Sequence, residues 1–468
     1  MNLPEVLLHA VADVNGGKIV IVTGAGVSLE APTAIPLASQ CAQDAHDRLV
    51  ADGILSPGEC ATPWDLSALA DLVVSKKGSQ TDLVKRLPIE AMRLAKPNDG
   101  HLIAIGLMIE GAISNIMTLN YDLAFTNAMT KLGVPSGISI IRGPEDHDQL
   151  GSRNIIYPHR SVDAEKHTWV LTTKALDEAW KNGWEEIMVG FAAIAPVVIF
   201  AGLGSSCGVL THTSKKIRNA AGDGVFALLV GPNAPESSQF ATETRIAPAN
   251  CIRSGWVDFM RSLGHRYLVR IGTQIVQTSK MLARREGWVN ADGNSTEDVK
   301  TLVDQLMSMG IIAFATVRAR WHLSIEHYVK TDDRQIESIA DILIAVCLVE
   351  RLAGVKSLFL DCGRVLFSSD SKESAVVLVS GSGSLRWGSL ESTLKHCEKY
   401  LQSPRPRHPA KRILAVEVSG IKPEHMATPE SIIDSREEND LVRCGDKMRF
   451  FSVDEIRMAP ALVQELLS

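Results

Sequence analysis

Aromatic residues are scarce, only 5% of the 468 positions. Proteins that bind single-stranded nucleic acid stack bases on such side chains, so the scarcity argues against that class. Positive charge does not compensate. The formal net charge is −6, and nucleic-acid binding would have to rest on a local patch. The eight cysteines, Cys41, Cys60, Cys207, Cys251, Cys347, Cys362, Cys397 and Cys444, include no C-x-x-C pair. That spacing excludes a zinc ribbon and offers no disulfide framework. Reduced thiols in a cytoplasmic protein are the expectation. The first residues, MNLPEVLLHAVADVNGGK, carry Glu5 and Asp13 in a helix-like pattern and lack the basic start and long apolar stretch of a secretory signal.

Long charge-free stretches are nearly absent as well. The exception runs from Ile187 to Thr213 without Lys, Arg, Asp or Glu, long enough to cross a bilayer. Pro196 splits it, and Gly and Ser crowd its second half. A helix ending near Ala195 and then a strand buried on both faces explains the same residues, so no membrane span is expected.

What remains is ordinary for a globular chain: 45% hydrophobic and 22% charged residues. The length exceeds what one core usually fills, so two domains are expected, 1–265 and 266–468. In the first, strand-like runs at Lys18–Thr23, Ile113–Leu119, Asn154–Tyr157, Val197–Phe200 and Phe226–Val230, and a short one near Cys251, alternate with helical stretches, among them Leu37–Val50, Asp122–Leu132 and one from about Val257. This pattern predicts a Rossmann-like α/β fold, a parallel sheet with helices on both faces. About 38–110 reads as a helical layer beside it. The second half is α+β in pattern. Helices are expected at Tyr267–Arg285, Thr296–Met309, Asp333–Ala353 and Leu390–Leu401, with strands at Ser357–Leu360, Ala375–Val379 and Arg412–Val418. A Gly/Ser turn, Gly381–Ser384, follows Ala375–Val379; a plain turn is preferred there over a second nucleotide site. The Pro-rich, basic stretch Gln402–Arg412 reads as an exposed connection.

Ligands of parallel sheets sit beyond the carboxyl ends of the strands, and four segments fall there. Gly24-Ala25-Gly26-Val27-Ser28 ends the first strand. Glycines let the backbone approach a phosphate, and a helix N-terminus favours negative charge; a bland strand–turn–helix junction uses the same residues. The dehydrogenase fingerprint fails, because Leu29 stands at its third glycine. Thr118-Leu119-Asn120-Tyr121-Asp122 ends the next strand; Asp122 is either a ligand group or the N-cap of the following helix. His159 follows a third strand in Tyr157-Pro158-His159-Arg160-Ser161, where a solvated loop histidine is the plain alternative. Gly202-Leu203-Gly204-Ser205-Ser206 follows the fourth.

In this order the four segments resemble the sirtuin family. G-A-G-x-S stands at Gly24–Ser28 and a downstream I-P at Ile35-Pro36. T-Q-N-x-D becomes Thr118–Asp122 with Leu119 for the glutamine, L-H-G keeps only His159, and G-T-S-L-x-V becomes Gly204–Val209. The resemblance covers residues 15–265. Two features depart from it: no cysteine lies between Cys60 and Cys207 to build the zinc module of the deacylating members, and Leu37-Ala38-Ser39 replaces the usual Asp-Phe-Arg. Together with the extra C-terminal half, these departures make the chain similar to the zinc-less sirtuin-like NAD hydrolase effectors of bacterial antiphage defence.

That resemblance implies NAD as substrate and no zinc. It places the pyrophosphate near Gly24, Ala25, Gly26 and Ser28 and near Gly204, Ser205 and Ser206. Asp122 would recognise the carboxamide, Asn120 the nicotinamide-side ribose or a water, and His159 would be the general base. It also implies a triggered, oligomeric effector with a companion ATPase, short Argonaute-like protein or phage trigger. ADP-ribosyl transfer or cyclisation, protein deacylation, and nucleotide sensing without catalysis remain as alternatives.

Overall fold

The computed structural model describes residues 3–13, 17–132, 138–172, 174–175, 190, 193–203, 208–233, 235–285, 295–321, 333–360, 364–369, 372–381, 412–417 and 449–468. Two compact units divide the chain, Met1–Arg266 and Tyr267–Ser468.

Seven strands form the sheet of the first unit: β1 (Ile19–Thr23), β2 (Ile113–Thr118), β3 (Ser139–Ile141), β4 (Asn154–Ile156), β5 (Val197–Ala201), β6 (Phe226–Gly231) and β7 (Cys251–Arg253). Their order is β3-β4-β2-β1-β5-β6-β7, and every pairing is parallel. The chain leaves β1 toward one edge and returns through β5 toward the other, the doubly wound arrangement expected from the alternation of strands and helices. All five residues of β1 and all five of β5 are buried. Strands covered on both faces become continuous β-branched and apolar runs, which accounts for IVIVT and VVIFA; most of the helix expected to end near Ala195 lies outside the described residues. No single helix among the described residues is long and apolar enough to cross a membrane; one helix pair passes by length and composition, but only with a bend of 114°.

Register sets the level of the site. Thr23 pairs with Thr118 on one side and with Ala201 on the other, and Met117 pairs with Ile156. Gly24, Leu119, Gly202 and Tyr157 therefore leave the sheet at one rim. Helices Ala38–Ala51, Leu66–Lys77, Thr81–Val84, Ile89–Arg93 and Asp99–Ile109 form the helical layer. The segment Ser139–Ile141 was not anticipated: three edge residues, of which only Ile141 is fully buried, give no readable periodicity.

In the second unit a five-stranded mixed sheet, ordered β12-β11-β10-β9-β8, combines β8 (Lys356–Phe359), β9 (Arg364–Ser369), β10 (Lys372–Gly381), β11 (Arg412–Glu417) and β12 (Arg449–Ser452). Helices Ser295–Ser308, Gly310–Trp321 and Asp333–Ala353 precede it, and Val453–Met458 and Leu462–Leu466 follow. The two helices expected from about Val257 and over Tyr267–Arg285 are one, Trp256–Arg285. Gly264 lies inside it, and an interior glycine costs a helix only about 1 kcal/mol. Strands β9 and β12 and the helix Gly310–Trp321 were missed; the helix Leu390–Leu401 and most of Gln402–Arg412 lie outside the described residues.

Candidate active site

The glycines of the first turn serve close packing. A Cβ on Gly24 would lie 2.8 Å from the Gly202 carbonyl oxygen, and one on Gly26 would lie 2.7 Å from the Gly202 Cα. Gly202 itself has φ +65°, and a Cβ there would come within 2.5 Å of the Val27 nitrogen. The turns after β1 and β5 are thus pressed backbone to backbone, which only glycine permits. Their amides are tied down accordingly: Gly24 N–H donates to Ala201 O at 3.0 Å and Gly26 N–H to Gly202 O at 3.1 Å. Val27 and Ser28 N–H donate back to Gly24 and Ala25 carbonyls, closing the short helix Gly26–Leu29. In this turn, then, the glycines first fix the distance between β1 and β5, and few of the amides remain for an anion.

That packing points Ser28 at the next strand end. Ser28 Oγ donates to Asp122 Oδ2 at 2.9 Å and accepts from Asn120 Nδ2 at 3.2 Å. Asn120 Nδ2 also donates to Gly24 O at 3.1 Å, so its amide hydrogens face the glycine turn and its carbonyl oxygen is the remaining acceptor. Asp122 Oδ1 accepts the Ala124 N–H at 2.9 Å. The capping and ligand readings of Asp122 are therefore compatible: one oxygen starts the helix Ala124–Leu132 while the other joins the polar cluster. Burial raises the Asp122 pKa, opposed by its hydrogen bonds from Ala124, Ser28 and Asn120.

His159 is buried, not a solvated loop residue, at 2% exposure. Its Nε2 lies 2.9 Å from Thr213 Oγ1. Burial drives its pKa down to about 4; Arg160 beside it acts in the same sense, and a hydrogen bond with the Leu119 main chain opposes them. The imidazole is neutral at pH 7 and presents a lone pair, not a charge. Arg160 adopts φ +78°, a conformation uncommon outside glycine, immediately after the histidine.

These groups border an inner cavity of about 70 Å³, walled by Ala25, Ser28, Ile35, Pro36, Asn120, Asp122 and His159, with Leu66, Met92 and Leu171 among its apolar neighbours. Ile35 N–H donates to Ser28 O at 2.9 Å, which folds the Ile35-Pro36 segment over the turn. Tyr121 stacks on Trp169 at 4.4 Å with rings 6° from parallel, and its hydroxyl donates to Val170 O. An outer cavity of about 380 Å³ shares Ala25, Ala38 and Leu66 with the inner one, so the two adjoin. Its walls include Gly26, Trp64, Gly202, Gly231, Asn233, Ser254 and Trp256.

The chain matches no family model and no curated protein. Among solved structures it is similar to Sir2 proteins. A Sir2 homologue in complex with NAD is 19% identical over 56% of this chain and 93% of its own length, with a TM-score of 0.33. A variant Sir2 homologue with ADP-ribose gives 19%, 57%, 96% and 0.33. A structure addressing the mechanism and regulation of Sir2 enzymes gives 14%, 57%, 98% and 0.33. At such scores the likeness decides nothing about chemistry, which rests on the side chains.

Of the residues singled out in the sequence, Gly24, Ala25, Gly26, Ser28, Asn120, Asp122 and His159 meet at one rim of the sheet. Gly204, Ser205 and Ser206 lie outside the described residues. Several contributors were missed. Thr213 and Asn98 give no local signal: Asn98, fully buried, donates to Val27 O at 2.9 Å and caps the helix Asp99–Ile109 through His101 N–H. Asn233 and Ser254 were findable, since they follow β6 and β7 at the same rim. Among the described residues no group of three or more His, Cys, Asp or Glu side chains is placed to hold a metal. Cys41 borders the inner cavity, but burial raises its pKa to about 11, so it is a thiol and no nucleophile at neutral pH.

Proposed function

We propose that the first unit binds NAD across the two adjoining cavities and cleaves its nicotinamide–ribose bond, water being the acceptor. The observation that carries this reading is the convergence of Ser28, Asn120, Asp122 and His159 on the wall of one small, otherwise apolar cavity. The motif resemblance to the sirtuin family supports it.

The chemistry fits these groups. Nicotinamide departs as a neutral molecule and leaves an oxocarbenium-like sugar, so positioning and electrostatics carry most of the catalysis. The Asp122 carboxylate, with lone pairs beyond those given to Ser28 and Ala124, suits the donor face of a carboxamide. Asn120 offers its carbonyl oxygen to a ribose hydroxyl or a water. His159, neutral at pH 7, is the group able to take a proton from either. The outer cavity, with its glycine turns and tryptophans, has the room for the adenosine and pyrophosphate. In this reading the chain is a cytoplasmic, triggered NAD hydrolase of antiphage defence, assembled as a homo-oligomer and answering to a companion protein, with the second unit regulating or recruiting. No zinc is required.

The test is incubation of the full-length protein with NAD, following nicotinamide and ADP-ribose by chromatography. Release of both, lost in His159→Ala, supports hydrolysis. A cyclic or transferred ADP-ribose in place of the free one would redirect the reading to a cyclase or transferase. Tight NAD binding without any release, in a form whose base is accessible, would make the unit a nucleotide sensor.

A further inference from the structure

A neutral imidazole has one proton and one lone pair. The His159 bond with the Leu119 main chain favours the protonated ring, as a bond to a carbonyl oxygen does. A general base that accepts through Nε2 carries its proton on Nδ1. In that tautomer Thr213 Oγ1 donates to Nε2 at 2.9 Å. The contact is dry: Thr213 is 0% exposed and His159 2%. Helical hydroxyls elsewhere in this chain, those of Thr130, Thr273 and Thr316, donate to the carbonyl four residues back. Thr213 reaches across 54 residues to the base.

Thr213 belongs to the helix Gly208–Ala221, which follows the turn pressed against Gly24 and Gly26. In that tautomer the lone pair that a ribose hydroxyl or water would need is occupied by a side chain of this helix. We propose that Thr213 locks the base: its hydroxyl silences His159, and turnover requires the helix Gly208–Ala221 to withdraw it. Breaking one buried neutral hydrogen bond costs about 1 kcal/mol net, small enough for a binding event to supply. This inference rests on the NAD-cleaving reading above and supplies the off-state that reading needs.

The test uses the full-length protein and the variants Thr213→Val, Thr213→Ala and Thr213→Ser. Valine keeps the shape and loses the donor, alanine also removes everything beyond Cβ, and serine keeps the donor. Nicotinamide release from NAD, without any trigger, is expected to rise tenfold or more in the first two and to stay near wild type in the third. Nitrogen NMR of the labelled histidine ring gives a readout independent of turnover. In the neutral ring the Nε2 resonance reports its hydrogen bond, so it should shift toward that of an unbonded nitrogen in Thr213→Val and Thr213→Ala but not in Thr213→Ser. If the Nε2 resonance moves while release falls or stays level, with NAD binding by calorimetry intact, the lock is overturned and Thr213 merely orients the base. If neither wild type nor Thr213→Val binds NAD, the functional reading itself fails, and the lock with it.

Discussion

The inner and outer cavities share the glycine turn after β1 but are finished in opposite ways. In the inner one the polar groups are committed to each other, Asn120 to Ser28, Ser28 to Asp122, Asp122 to the next helix, His159 to Thr213. A ligand entering there meets fixed acceptors at set distances, which is what a reaction with a cationic transition state needs. The outer cavity is larger and its wall carries exposed apolar surface, Trp64 at 56%, Leu29 at 49% and Leu37 at 40%. It offers area and backbone proximity, the means of binding and not of chemistry. On the proposed reading preorganisation and affinity are separated in space, and mutations should separate them too.

The largest effect belongs to the inner cavity. His159→Ala or Asn120→Ala should slow nicotinamide release by roughly 10²–10⁴-fold, measured in the Thr213→Val background should wild type be slow, while ADP-ribose affinity by calorimetry changes only a few-fold. Equal losses of both would erase the distinction between the cavities. Next comes their shared hinge. Gly202→Ala puts a Cβ 2.5 Å from the Val27 nitrogen at φ +65°, so chemical denaturation should show a loss of about 2–4 kcal/mol, with nucleotide binding lost as well. Unchanged stability would mean that the two turns are not pressed together. A smaller effect is expected at the outer wall. Trp64→Ala should weaken ADP-ribose binding by about tenfold, the range of one base–aromatic stack, and leave the rate at saturating NAD alone. A fall in that rate would move Trp64 into the chemistry.

The smallest effect separates two buried histidines. His101 is fully buried, with no protein hydrogen bond to either ring nitrogen, and sits edge-on to Phe125 at 4.6 Å. Burial lowers its pKa to about 3, and that of His159 to about 4. A lowered folded pKa means that the unfolded chain binds the proton more readily. The stability is therefore whole above about pH 6.5 and is lost as pH falls toward 4 and 3. His101→Leu should remove part of that acid sensitivity and stabilise at neutral pH by about 1 kcal/mol; melting temperature against pH reads both. An unaltered acid limb would exclude His101 as its cause.

What the sequence showed and what it hid follow from the range of the interactions. Strands β1 and β5 are legible because burial on both faces writes itself as an unbroken apolar run, and Gly24, Asn120 and His159 because strand ends are where such sheets hold ligands. The Ser28–Asp122 bond spans 94 residues and the His159–Thr213 bond 54. Nothing local marks Thr213 or Asn98 as partners, since a helical threonine and a helix-capping asparagine read the same whether or not they reach a distant site. Strand β3 was lost for a different reason, three residues at a half-buried edge. In the second unit Asp333–Ala353 and β11 were readable, whereas the apolar run of β9, Val365–Phe367, is only three residues long.

The most direct measurement of the central claim is a crystal structure of the Asn120→Ala protein grown with NAD, in which slow turnover would preserve the substrate. The account predicts the nicotinamide ring in the inner cavity, its carboxamide on Asp122, and the adenosine in the outer cavity beside Gly26 and Gly202. A nucleotide bound away from Asp122 and His159, or with its adenine in the inner cavity, would contradict it.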